Sequence, residues 1–315
     1  MTFAAVFPGQ GSQSVGMLAD LANHWSEVKD TFTEASDVLG YDLWALSQDG
    51  PAEQQKQTQF TQPLMFAAGV ACWRVWRSAG GELPAYAAGH SLGEYSAHVA
   101  AGVFNYADAV KLVDKRARWM SQAVPEGEGG MAAVLGMDDD ALVELCRAQG
   151  HERVVEAVNF NAPGQVVISG HLDALEKACV AAKAAGARKA MMLPVSVPNH
   201  SSLMASVVSP LAVEIENTPK QMGNIQVVQN AEAGVLDGLE SQMVSLKAHV
   251  ANPVRWTASV QYLLRNGVDT QVEFGPGKVL TGLAKRVDRS LNLVCVEDQA
   301  SLDKALEITH QQEAV

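Results

Sequence analysis

The chain has 315 residues, of which 48% are hydrophobic and 18% charged, and its formal net charge is −12. That length suggests one large domain with an added piece, and that composition supports a sizeable core, which excludes a disordered or collagen-like chain. The acidic balance argues against broad binding to nucleic acid or to an anionic membrane, while leaving room for a local basic patch.

The four cysteines, Cys72, Cys146, Cys179 and Cys295, lie far apart with no CxxC pair, so they read as buried free thiols rather than as metal ligands or a redox pair. The start, Met1-Thr2-Phe3-Ala4, has no basic segment ahead of a long apolar one, and no apolar run reaches membrane-spanning length. A cytoplasmic protein is expected.

In chain order, residues 3–7 form a short apolar run that stops at Pro8-Gly9, a strand entering a glycine-rich turn. Helical patterns follow over 25–39 and 62–79. Residues 84–88 are a strand candidate cut off by Gly89, and 92–101 and 106–122 are helical. Short apolar strands alternating with longer helices predict an α/β fold with a mainly parallel sheet.

The pattern changes after Pro125-Glu126-Gly127-Glu128-Gly129-Gly130. A strand over 131–136 precedes a helix opened by Asp138-Asp139-Asp140, acids suited to the positive end of a helix dipole. Strands over 153–158 and 165–170, a helix over 172–186 and a strand over 188–193 complete a β-α-β-β-α-β order. That is the ferredoxin-like pattern. We therefore expect a small inserted subdomain at 126–196 and a discontinuous large domain built from 1–125 and 197–315. The large-domain pattern resumes with a helix over 201–216, a strand over 225–228, a helix over 253–266, a strand over 269–274 and a helix from about 278. The last fifteen residues are polar enough to fray.

Gly89-His90-Ser91-Leu92-Gly93 is a G-x-S-x-G sequence with a strand candidate before it and a helix candidate after it. A sharp strand–turn–helix bend needs small residues beside the nucleophile. It exposes the serine oxygen and sets helix N–H groups next to it, where they can stabilise an oxyanion. Ser91 is the candidate nucleophile and the Leu92 N–H a candidate donor. The turn Pro8-Gly9-Gln10-Gly11-Ser12-Gln13 lacks the third glycine of a dinucleotide fingerprint, and its Gln10 is the candidate second donor.

A serine hydroxyl needs a base. Of eight histidines, His90 adjoins the nucleophile but points elsewhere from a tight bend, and His98 reads as a packing residue. His151 and His171 read as solvated turn residues. His200 ends Pro194-Val195-Ser196-Val197-Pro198-Asn199, a loop stiffened by two prolines where the chain re-enters the large domain. It is a candidate base, one among several at this point. Lys111, Lys115, Arg116 and Arg118 share one helix; such charges are usually a solvated face, yet an arginine fork suits a carboxylate.

These segments are joined by Lys115-Arg116, Asn159-Phe160-Asn161-Ala162-Pro163-Gly164-Gln165, Asn252-Pro253-Val254-Arg255-Trp256 and Glu273-Phe274-Gly275-Pro276-Gly277-Lys278. Together, from Phe3 to about Asp288, they resemble the bacterial malonyl-CoA:acyl carrier protein transacylase family. The resemblance implies a hydrolase-like α/β core with a ferredoxin-like insert and an active site between them. It implies that Ser91 carries a malonyl ester, that His200 is the general base and that Arg116 holds the malonyl carboxylate. Backbone N–H groups of Gln10 and Leu92 would form the oxyanion hole. It implies malonyl-CoA, coenzyme A and the phosphopantetheine thiol of holo-acyl carrier protein as substrates and partners, in a ping-pong cycle without metal or redox cofactor. A monomer is expected.

Two positions depart from the family pattern. His249 stands where glutamine is common, at the residue whose backbone carbonyl orients the catalytic histidine, and Asn199 stands where serine is commoner. A backbone role survives a side-chain change, so activity is expected to persist, with His249 altering the local charge. The rival readings are a serine hydrolase or thioesterase, an acyltransferase of a polyketide or other malonate-handling pathway, and a carrier-binding module without catalysis.

Overall fold

The computed structural model describes residues 2–150 and 153–310, so the expectation for His151 lies outside the described residues. Ten strands are described: β1 (Thr2–Phe7), β2 (Tyr86–Gly89), β3 (Gly129–Leu135), β4 (Val155–Ala162), β5 (Gln165–His171), β6 (Lys189–Met192), β7 (Gln226–Gln229), β8 (Gly234–Val235), β9 (Val268–Phe274) and β10 (Asn292–Val296). They form a six-stranded sheet in the order β10-β9-β1-β2-β7-β8 and a four-stranded sheet in the order β4-β5-β3-β6. The fold is α/β, as its strand–helix alternation predicts.

Every pairing in the large sheet is parallel except β7 with β8. Parallel strands are covered on both faces, which explains why β1 reads as an unbroken apolar run: Phe3 to Phe7 are all buried. One face packs under the helix Thr58–Ser78, where Phe7, Trp73 and Phe274 form a ring cluster with centroids 5.4–6.4 Å apart. Each such side chain contributes about 2–3 kcal/mol by leaving water. The other face carries a second apolar cluster around Trp256, Val260 and Leu283.

The small sheet is fully antiparallel, and the helices Asp139–Gln149 and Leu172–Ala184 lie on one of its faces. Its core holds Leu142, Cys146, Ile168, Leu175 and Ala178. The β-α-β-β-α-β order and the central pairing of its first and third strands are the ferredoxin-like arrangement. This sheet is stitched to the rest of the chain through main-chain bonds. The Phe160 N–H donates to the Val254 carbonyl at 2.9 Å, and the Val254 N–H to the Val158 carbonyl at 2.8 Å. Those bonds fix one wall of the cleft against the other.

The C-terminal end departs from expectation. A strand, β10, closes the sheet edge, and a helix runs over Gln299–His310 where fraying was expected. Its Leu302, Ala305 and Thr309 fall on one buried face. Asp298 and Ser301 cap its start, the Asp298 carboxylate accepting from the Ser301 N–H at 2.7 Å. Few buried side chains and one cap suffice because the helix docks on β10. All four cysteines are buried and free.

Candidate active site

Strands β1 and β2 are neighbours in register, Phe7 opposite Gly89, so the turns that leave their C-terminal ends emerge side by side. That crevice is where open α/β sheets bind ligands. The second turn is the bend around Ser91. Ser91 has φ 53°, a left-handed conformation that costs a side-chain-bearing residue about 1–2 kcal/mol. Such strain persists only where the surroundings impose it. Here the glycines do so. A Cβ on Gly89 would lie 1.9 Å from the Gly93 carbonyl carbon, and one on Gly93 would lie 2.1 Å from the Phe7 carbonyl oxygen.

Asn230, just past the end of β7, braces the bend. Its Oδ1 accepts from the Ser91 N–H at 2.8 Å, and its Nδ2 donates to the Gly89 carbonyl at 2.6 Å. The Ser91 N–H is thereby engaged by Asn230, and the next residue, Leu92, lines the cleft.

The structure brings His200 to Ser91: the hydroxyl oxygen lies 2.7 Å from His200 Nε2. His200 Nδ1 lies 3.1 Å from the carbonyl oxygens of both His249 and Asn252. Carbonyls only accept, so Nδ1 carries the proton, and Nε2 presents a lone pair to the serine hydroxyl. Burial and then the Arg116 charge push the His200 imidazolium pKa down to about 3. The ring is therefore neutral and able to accept a proton at physiological pH. Among the described residues no acidic side chain orients it; two main-chain carbonyls do.

The four cations of the helix Tyr106–Gln122 separate cleanly. Lys111 pairs with Asp108, Lys115 with Glu214 and Arg118 with Asp114, all at the surface. Arg116 alone is buried, at 1% exposure. Its Nη1 donates to Gln62, its Nη2 lies 3.4 Å from Ser91 Oγ, and the guanidinium sits 5.4 Å from the Tyr95 ring centre. Among the described residues it has no carboxylate within ion-pair range. Burial pulls its pKa down, with Tyr95 and Glu94 acting the other way. A buried cation next to the nucleophile with no anion of its own is costly to keep.

Gln10, Ser91, Leu92, Arg116 and His200 all line one cleft of about 200 Å³. Met131 and Val167 of the small sheet, with Leu193 and Val195, form the facing wall. His90 does not reach the serine: its Nε2 lies 2.8 Å from Asn161 Oδ1 on β4. His98 is fully buried with its Nδ1 2.7 Å from the Glu94 carbonyl, the packing residue that the sequence suggests. His171 is not simply solvated; its Nδ1 accepts from the Val154 N–H at 2.9 Å.

Residues 4–302 match the family described as the acyl transferase domain. The chain belongs to that family. The malonyl CoA-acyl carrier protein transacylase of Salmonella typhimurium is 51% identical over 96% of this chain and 98% of its own. That of Bacillus subtilis is 39% identical over 96% of both. Among solved structures, an acyl carrier protein S-malonyltransferase from Vibrio cholerae superimposes with a TM-score of 0.94 at 50% identity, covering 97% of this chain and all of that one. A malonyl-transacylase in complex with a type II PKS acyl-carrier protein gives 0.96 at 48% identity, covering 98% of this chain and 100% of that one.

Within this acyl transferase fold, sequence reasoning overlooked the supporting polar groups: Gln62, which steers Arg116, Asn161, which holds His90, and Asn230, which braces the bend. Of the three, only Asn230 carries a signal in its position: it directly follows β7, and residues just past the C-terminal ends of parallel strands face the ligand crevice.

Proposed function

We propose that the chain transfers a malonyl group from malonyl-CoA to the pantetheine thiol of acyl carrier protein through an ester on Ser91. The observation that carries this reading is the unpaired buried guanidinium of Arg116 beside a serine already hydrogen-bonded to a neutral imidazole. The naming of relatives about 50% identical over nearly the whole chain supports the same reading.

The malonyl carboxylate pairs with Arg116, which sets the thioester carbonyl over Ser91. His200 Nε2 takes the hydroxyl proton as Ser91 Oγ attacks. Backbone N–H groups of Gln10 and Leu92 stabilise the tetrahedral oxyanion. The carbon–sulfur bond breaks, and the proton on His200 passes to the departing coenzyme A sulfur. The carrier thiol then gives its proton to His200 and attacks the ester, and Ser91 recovers the proton as it leaves. A hydrolase or thioesterase for plain acyl chains would instead need an apolar tunnel where Arg116 stands.

The chain and an acidic carrier repel over long range, so docking requires a local basic surface. Exposed Lys285, Arg286 and Arg289, on and just after the helix Val279–Val287, fit that need, since the same helix turns Leu280 and Leu283 into the cleft. In this reading, residues 126–196 form an inserted unit with its own core, and 1–125 with 197–315 form the acyltransferase body.

Mixing the protein with malonyl-CoA and measuring intact mass tests the ester. The wild type gains one malonyl group and Ser91→Ala gains none; a malonyl adduct retained on Ser91→Ala would overturn the assignment.

A further inference from the structure

Behind the catalytic histidine lies a second imidazole paired with a carboxyl group, and the transfer chemistry above uses neither side chain. Glu94 opens the helix Gly93–Ala100 that leaves the nucleophile bend, and it is fully buried. Its Oε2 accepts from the Asn230 N–H at 3.2 Å and lies 3.2 Å from His249 Nδ1. The His249 ring is also fully buried, 4.9 Å from the His200 ring centre and tilted by 31° to it. The His249 contact is misaligned for a hydrogen bond. Among the described residues, Glu94 Oε1 and both ring nitrogens of His249 have no hydrogen-bond partner.

Two such groups cannot both stay as they are in water. A buried carboxylate with one unpartnered oxygen and a buried imidazole with no donor or acceptor would each be strongly destabilising. One proton held between Oε2 and Nδ1, which requires the His249 ring to turn until Nδ1 faces the carboxylate 3.2 Å away, removes most of that cost and leaves the pair neutral.

We propose that Glu94 and His249 share a single proton and act as a positioning pair for His200. The pair ties the helix that presents Ser91 to the turn whose carbonyls hold the His200 Nδ1–H, and its charge sets the potential behind the His200 ring. This rests on the proposed transfer reaction.

The groups that face the pair come from each element packed on it. Arg116 faces it from the helix Tyr106–Gln122, Tyr95 and His98 from the helix of Glu94 itself, His90 from the bend and Glu232 from the β7–β8 turn. Their sum keeps one proton and refuses a second. Burial pushes the Glu94 carboxyl up to about 8, with the Asn230 N–H opposing and Glu232 adding to the rise. Burial, then His200 and Arg116, hold His249 well below the usual imidazole range. Near neutrality the pair is therefore uncharged. Above about pH 8 it loses its proton and becomes an anion against His200.

The test is the pH dependence of malonyl-enzyme formation, followed by rapid quench and intact mass for the wild type, Glu94→Gln and His249→Gln. The wild type shows an inflection near pH 8. Glu94→Gln lacks it, and His249→Gln, which removes the second holder of the shared proton, moves it downward by at least half a unit. At pH 6.5 both variants lose about threefold to tenfold in rate, with less than twofold change in KM. Profiles that superimpose on the wild type after scaling would overturn the pair, because a purely structural loss lowers the rate without moving an inflection. A second measurement needs no variant. In wild-type protein labelled with 15N-histidine, the His249 ring signals titrate with the same midpoint while His200 stays in its Nδ1–H form. A His249 signal that does not move between pH 6 and 9 would equally refute the pair. If the wild type forms no malonyl ester at all, the transfer reading fails, and the labelled-histidine titration still decides the proton sharing.

Discussion

At the scale of single residues, burial rather than residue type picks out function. Four cations lie within eight positions of one helix, and three of them end in surface ion pairs that contribute little. Arg116 differs because it is sealed beside Ser91 without a carboxylate. A charged hydrogen-bonded pair of this kind is worth about 1.5–3 kcal/mol, which converts to roughly 10- to 150-fold in selectivity. Arg116→Ala is accordingly expected to lower the ratio of kcat/KM for malonyl-CoA over acetyl-CoA by that factor. Arg116→Lys keeps the charge but loses the fork that grips Gln62 and reaches Ser91, so its ratio falls between the two. Competing the two thioesters at equal concentration measures both. An unchanged ratio in Arg116→Ala would remove the carboxylate role.

At the scale of elements, the bend around Ser91 depends on atoms that have no side chain to give. The helix after the bend crosses the end of β1 so closely that a Cβ on Gly93 would meet the Phe7 carbonyl oxygen, which is backbone and held in the sheet. Gly93→Ala therefore pushes the helix away from the strand and separates Ser91 from the Gln10 turn. We expect it to lower Tm by several degrees and to cut malonyl-enzyme formation at least a hundredfold, read by thermal melting and rapid quench. Retained rate and Tm would show that the bend tolerates that displacement.

The same elements show what was legible beforehand. The bend announced itself because its glycines and its flanking periodicities are local in sequence, and so did the β-α-β-β-α-β order. What stayed hidden depends on distant partners. Asn230 meets the bend across 139 positions, and His249 meets Glu94 only through the fold. The polar helix Gln299–His310 is held by its docking on β10 rather than by its own periodicity, so its sequence reads as a fraying tail. The strand beside it, β10, is absent from the expected elements although its apolar run Leu293-Val294-Cys295-Val296 is as long as the strand expected over 225–228.

At the scale of the whole molecule, the site's chemistry sets a pH window for stability. Four histidines, His90, His98, His200 and His249, are held below their ordinary range mainly by burial, His98 at about 4 and His200 at about 3. In the unfolded chain each binds a proton near pH 6.5. Between that pH and about 4 the unfolded state thus holds more protons than the folded one, and stability falls as pH falls. Glu94, raised to about 8, and Glu273, raised by burial, work in the opposite direction, since the folded state keeps their protons above the ordinary carboxylate range. On the acid side the four lowered histidines outnumber the carboxyls of Glu94, Glu273 and Asp139 that burial raises, so unfolding takes up protons there. Between pH 7 and 8 the histidines are neutral in both states, and Glu94 makes stability decline as pH rises. Tm is therefore expected to peak near pH 6.5–7, to fall steeply on the acid side and gently on the alkaline side. Calorimetric scans from pH 5 to 8.5 measure this directly. Glu94→Gln should flatten the alkaline slope and leave the acid slope in place, so an alkaline slope that survives the substitution would mean that the carboxyl is already ionised at neutral pH.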